Sequence, residues 1–226
     1  MLNLASNLFN WKGGIEYKNV AQAQYKWLTT GKYGNYAPPS WHLYNSKKLL
    51  LWLPGLTNAS DTYWSGDEGV LLRGLTPYIN GIITDPYIKK ELLLESKTLI
   101  ITAISTPNGF PDTQRVMHAS PNPPDWSNDL ATGKGVFMRL VARFAYQHNF
   151  FTDKAFEETF RSFVETTAES VWCSRNMTTK DIAPNWNPGF GPPQEGTLPT
   201  KGELWPQVFQ TDGLDALNAA VQIRGA

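Results

Sequence analysis

Apolar residues recur at helical spacing in several separate stretches of the chain, and the register is clearest where Phe137, Leu140, Val141, Phe144 and His148 fall on one stripe. The next stretch repeats the pattern with Phe156, Phe160, Phe163, Val164, Thr167 and Val171, behind Thr152 and Asp153, whose side chains suit a helix amino end. A short join makes the two a helical hairpin. Upstream, Ile88, Leu92, Leu99, Ala103 and Ile104 mark a helix that begins near Asp85-Pro86 and stops before Pro107-Asn108-Gly109. Leu71, Leu75, Tyr78, Ile79 and Ile82 form another stripe, with Pro77 inside it; a proline there costs about 3 kcal/mol unless the helix kinks.

Further helices are expected over Val20 to Thr29, Trp41 to Trp52 and Gly213 to Ile223, the first two separated by the Gly- and Pro-containing breaker at 31–39. The β-branched cluster from Thr98 to Thr102 is the one place where a short strand competes. Residues 184–206 read as a long Pro/Gly-rich loop, and Trp186, Phe190 and Trp205 within it argue for a segment that packs on the body. The expected fold class is therefore all-α. About seven helices in antiparallel succession fit a bundle, a solenoid or part of a helical toroid, which periodicity does not separate.

Composition changes this picture little. With 41% hydrophobic and 18% charged residues, the 226-residue chain reads as one ordinary globular domain. Twenty basic side chains balance twenty acidic ones, so no net field draws it to nucleic acid or to an anionic membrane surface. No stretch approaches the roughly 18 consecutive apolar residues of a membrane-spanning helix, and the first residues lack the basic and apolar regions of an export signal. Cys173, the only cysteine, is expected as a buried free thiol. It has no ligand-like spacing with His42, His118 or His148, so neither a metal site nor a cofactor is expected. Asn58-Ala59-Ser60 and Asn176-Met177-Thr178 match the glycosylation acceptor pattern. The unusual figure is nine Trp, with nine Tyr and eleven Phe: flat rings with a polar handle serve cores, and they equally stack on the C–H face of a sugar.

Four segments carry a more specific signal: Gly13-Gly14-Ile15-Glu16-Tyr17-Lys18-Asn19, then residues 64–75 from Trp64-Ser65-Gly66-Asp67-Glu68-Gly69, then Gly133-Lys134-Gly135-Val136-Phe137-Met138-Arg139, and Gln210-Thr211-Asp212-Gly213-Leu214-Asp215-Ala216-Leu217. In order and spacing they resemble the downstream part of glycoside hydrolase family 76, the α-1,6-mannanases. The resemblance spans nearly the whole chain. It implies an incomplete (α/α)₆ toroid, retaining hydrolysis of α-1,6-linked mannan, and α-mannan or a related polysaccharide as partner. Retaining chemistry requires two carboxyl groups about 5–5.5 Å apart, which the family supplies from consecutive aspartates upstream of the Gly-Gly segment. None of the twelve residues before Gly13 is acidic, so the chain as given is expected to be inactive. An incomplete ring also implies an exposed apolar edge, to be covered by an amino-terminal segment or a partner.

The resemblance sets Asp67 and Glu68 at the cleft end of an inner helix. They are candidates for the missing acids and, more readily, for sugar contacts, although acidic residues also favour an ordinary helix start. It sets Tyr17, Lys18 and Asn19 along the cleft; Trp11 offers a stacking surface, with a helix cap and a core aromatic as the alternative reading, and Asp125-Trp126 pairs an acceptor with a ring suited to a saccharide or belongs to an ordinary packed loop. Arg139 is expected in an internal salt bridge, and Glu157-Glu158 on a solvated face. The rival readings are a non-catalytic carbohydrate-binding module and a toroid hydrolase of another glycosidic linkage.

Overall fold

The computed structural model describes residues 1–30, 65–105, 109–111, 114–117, 133–182, 186 and 205–225. Among them are seven α-helices: α1 (Leu2–Lys12), α2 (Ile15–Thr30), α3 (Ser65–Pro77), α4 (Pro86–Ile104), α5 (Gly133–Gln147), α6 (Lys154–Ser174) and α7 (Trp205–Arg224). No strand occurs among the described residues, whose only β-pairing is an isolated bridge between Pro111 and Met117. The chain is all-α, as its periodicity predicts, and no described helix is long and apolar enough to cross a membrane. The expected helix at Trp41 to Trp52 lies outside the described residues.

Local chemistry sets the helix ends. Asp85 caps α4 by accepting from the amides of Tyr87 (2.8 Å) and Ile88 (3.3 Å), and Pro86 takes the first position, where its missing N–H is no loss. Asp153 caps α6 in the same way through Ala155 and Phe156, while Asn149, at φ 55°, makes the left-handed turn that returns the chain from α5. The Thr98–Thr102 cluster is helical, lying inside α4 with Leu99 and Ile100 buried; core burial outweighs the strand preference of β-branched residues. The last helix starts at Trp205, a full two turns before the expected Gly213, because Pro206 falls at its amino end, where proline is tolerated. Helix α1 was not anticipated from the periodicity: Leu2 and Ala5 are buried while Leu4 and Trp11 are exposed, too thin an apolar stripe to stand out. Cys173 is exposed rather than buried, since it lies off the Phe160–Val164–Val171 face of α6.

The Pro77 conflict is resolved by α1. Proline has no N–H for the carbonyl of Arg73, four residues back, and the Asn3 carboxamide donates to that carbonyl instead, at 2.9 Å. Past Pro77 the helix loosens into one π turn, Tyr78–Ile82, in which the Ile83 amide reaches Tyr78 O at 3.1 Å. Asn10 donates to the Pro77 carbonyl at 3.0 Å. Its carboxamide fills the place a side chain at residue 81 would need, which is why glycine stands there. The apolar stripe thus continues unbroken: Tyr78, Ile79 and Ile82 are all buried.

Contacts between helices define two sets. Asn3 meets Arg73 and Asn10 meets Pro77, so α1 and α3 run parallel. Gly69 lies on Val136 and Phe137, and farther along Arg73–Pro77 shares a groove with Leu140–Gln147, so α3 and α5 also run parallel. Gly135 meets Asp212, and Arg139 meets Asp215, giving the same sense to α5 and α7. Helix α6 opposes them, for Val171 approaches Gly213 while Glu165 pairs with Arg224. The odd-numbered helices therefore form one parallel layer, linked by the intervening even-numbered helices. The core is aliphatic along α3, α4 and α5 and aromatic between α5 and α6, where Phe150, Phe156 and Phe160 pack in T-shaped and stacked pairs at 5.4 Å. Leu4, Trp11, Ile15 and Val20 are exposed on α1 and α2.

Candidate functional site

Polar side chains are buried together where α3 and α5 begin and α7 passes alongside. At Gly135 the backbone of α5 comes within 2.6 Å of Asp212 Cα, measured from where a Cβ would stand, and only glycine permits that approach. The Gly135 amide donates to Asp212 Oδ1 at 2.5 Å, so the aspartate acts on the open amino end of α5, where unpaired N–H groups favour a negative charge. Lys134 is buried beneath Trp186, its Nζ 4.0 Å from the ring centroid. Burial pushes the Lys134 ammonium down and the Asp212 carboxyl up, each opposed by attraction to the other. Asp212 Oδ2 is buried with no hydrogen-bond partner among the described residues. One turn on, Asp215 pairs with Arg139 at 3.0 Å; the salt bridge expected for that arginine forms, but with its side chain exposed rather than internal.

Asp67 and Glu68 open α3 beside this cluster, because Gly69 seats the helix on Val136 and Phe137, which lie 3.0–3.2 Å from where a Cβ at residue 69 would stand. Successive helical residues point about 100° apart, and the two acids separate accordingly: Glu68 is fully buried, whereas Asp67 keeps a partly exposed carboxyl. Desolvation pushes the Asp67 carboxyl up to about 6. At weakly acidic pH it is therefore a carboxylic acid able to donate a hydrogen bond or a proton. Its neighbour is sealed from any ligand. The adjacent pair does not present two carboxyls to one cleft, as a retaining hydrolase requires.

The remaining predicted residues do not join Asp67 and Glu68. Trp11 is exposed at the end of α1, one residue past the Asn10 that bonds Pro77, and Tyr17, Lys18 and Asn19 lie in the first turns of α2. They belong to the opposite end of α3, about 15 Å away along its axis by the rise of ten residues. Asp125 and Trp126 lie outside the described residues, as does most of the 184–206 loop; Trp186 within it is buried against Lys134, as its aromatic character predicts. Glu157 pairs with Lys154 and Arg161, and Glu158 is exposed. Among the described residues no three His, Cys, Asp or Glu stand together as metal ligands.

Sequence reasoning missed the Lys134–Asp212–Trp186 group, although a signal for it existed. Asp212 and Asp215 fall on the same face of α7 as Phe209, Ala216 and Ala219, and acids on an apolar stripe imply buried partners. No family model, no curated protein and no solved structure matches the chain.

Proposed function

We propose that this chain is the downstream arc of a family 76-like glycoside hydrolase, binding α-1,6-mannan at the amino end of its parallel helix layer without cleaving it unaided. The observation that carries the reading is the arrangement of α1, α3, α5 and α7 as parallel neighbours joined by returning helices. A ring of helical hairpins is built from this succession, and an incomplete (α/α)₆ toroid is one continuation of it. At the amino end of that layer Asp67 offers a desolvated, partly exposed carboxyl suited to a sugar hydroxyl. Hydrolysis would need a second opposed acid, which Glu68, fully buried, is not placed to supply.

Calorimetric titration with α-1,6-mannotetraose, followed by chromatography of the mixture, tests the proposal. Heat of binding without new reducing ends is expected, weakened at least tenfold by Asp67→Ala. An absence of heat with any α-mannooligosaccharide, from a chain whose helical spectrum is intact, would refute it. Cleavage abolished by Asp67→Asn would instead make the chain a complete enzyme and overturn the claim that its chemistry lies elsewhere.

A further inference from the structure

A second polar concavity lies toward the other end of the parallel layer, between α1, α3 and α5. Its volume of about 390 Å³ falls within the roughly 300–1,000 Å³ typical of small-molecule sites. The floor is apolar, formed by Pro77, Leu140 and Phe144. Asn3, Asn7 and Asn10, one per turn of α1, form a wall. These amides are held in place: Asn3 donates to the Arg73 carbonyl that Pro77 leaves free, Asn10 to the Pro77 carbonyl, and Asn7 to Asn3 at 2.8 Å.

Arg73 and Arg143, from two parallel helices, also line the groove, and no carboxylate occurs among its described lining residues. Neither guanidinium has an ion-pair partner among the described residues; of the other described arginines, Arg139, Arg161 and Arg224 are ion-paired and Arg115 and Arg175 are not. The Asn80 carboxamide, carried on the π turn, and that of Gln147 likewise make no hydrogen bond among the described residues. Two exposed guanidinium groups that line one groove without an ion-pair partner among the described residues are matched by an oxyanion. Free carboxamides at the rim are matched by hydroxyl groups, and the half-buried Pro77 ring beside them by the C–H groups of a sugar.

We propose that this groove binds a small polyhydroxylated ring compound bearing an oxyanion, a hexose carrying either a phosphate or a carboxylate. Arg73 and Arg143 hold the anion, and Asn80 and Gln147 read the hydroxyls. The groove does not include Asp67, so the proposal stands apart from mannan binding.

Isothermal titration of the full chain with glucose 6-phosphate, glucuronate, glucose and inorganic phosphate distinguishes the sources. One or both anionic sugars should bind at least tenfold more tightly than glucose and inorganic phosphate, the better of the two identifying the oxyanion. Binding should weaken as salt is raised. Arg143→Gln and Arg73→Gln should each reduce it at least tenfold, and Asp67→Ala should leave it unchanged. Gln147→Glu changes an exposed residue and places a carboxylate beside the guanidinium groups; it should abolish binding with the fold intact. Equal affinity for inorganic phosphate would mean an adventitious ion only and overturn the proposal. So would equal affinity for glucose, indifference to Gln147→Glu, or no binding of either anionic sugar.

Discussion

Gly135→Ala sets two opposite effects against each other, and the structure decides the sign. In a helix, alanine is preferred to glycine by up to about 1 kcal/mol, so propensity alone predicts a gain. The new methyl group would stand on Asp212, 2.6 Å from its Cα and closer still to its carbonyl and Oδ1. These atoms are mostly backbone, and no rotamer change relieves the clash. Helices α5 and α7 would have to separate, at about 1–3 kcal/mol for overpacking. The Gly135 N–H to Asp212 bond would stretch, and a buried carboxyl that loses its donor costs about 1–3 kcal/mol more. The net loss is about 2–4 kcal/mol. At roughly 2–4 °C per kcal/mol for a chain of this size, Tm should fall by about 5–15 °C. Thermal melts followed by circular dichroism at 222 nm measure this directly. Gly74→Ala is the control, because its added methyl would meet only Leu2 side-chain atoms at 3.4 Å or more, ordinary contact that leaves propensity to win. Its Tm should hold or rise. If Gly135→Ala melts at or above the wild-type temperature, the close crossing of α5 and α7 is wrong.

Asp67 makes stability depend on pH: its folded carboxyl, raised to about 6 from an ordinary 3.8, favours the fold fully below about pH 4 and loses that contribution as pH rises through 6. Asp67→Asn should therefore match wild type near pH 4 and exceed it at pH 7 by about 1–3 kcal/mol in urea titrations, and a difference independent of pH would contradict the assigned shift. Lys134→Met removes the cation whose charge opposes the upward push of burial on Asp212 and should lower stability, with part of the loss recovered by adding Asp212→Asn; additive losses in the double-mutant cycle would show that the two are not coupled. The Cys173 thiol, being exposed, should react with a disulfide reagent in the native protein at one equivalent, and a requirement for denaturant would place it in the core instead.

Legibility in the sequence followed the strength of the local signal. Helices α5 and α6 were readable because every turn carries a large apolar side chain on one face, and α4 and α6 because Asp85 and Asp153 announce their starts. Helix α1 was not, since its role is played by asparagines: Asn3 and Asn10 read as polar surface until the carbonyls around Pro77 are seen to require them. The same holds for the candidate sites. Asp67 stands out in the sequence through the resemblance and its place at a helix start, whereas Lys134 is marked only as part of the Gly133–Arg139 segment and nothing in the sequence marks Arg73 and Arg143 as neighbours in one groove.

The pattern of side chains alone determined that this protein is built of helices, roughly where most of the described ones lie and which face of each is buried, because those properties depend on neighbours three or four residues away. Only the tertiary structure decided that the odd-numbered helices run parallel, that Glu68 is sealed while Asp67 is not, and that Trp186 covers Lys134. These outcomes depend on contacts such as Gly69 with Phe137 and Gly135 with Asp212, between residues nearly seventy or more positions apart. Burial, and with it the ionisation of a carboxyl, is set by what packs over a group, and spacing along the chain carries no record of that.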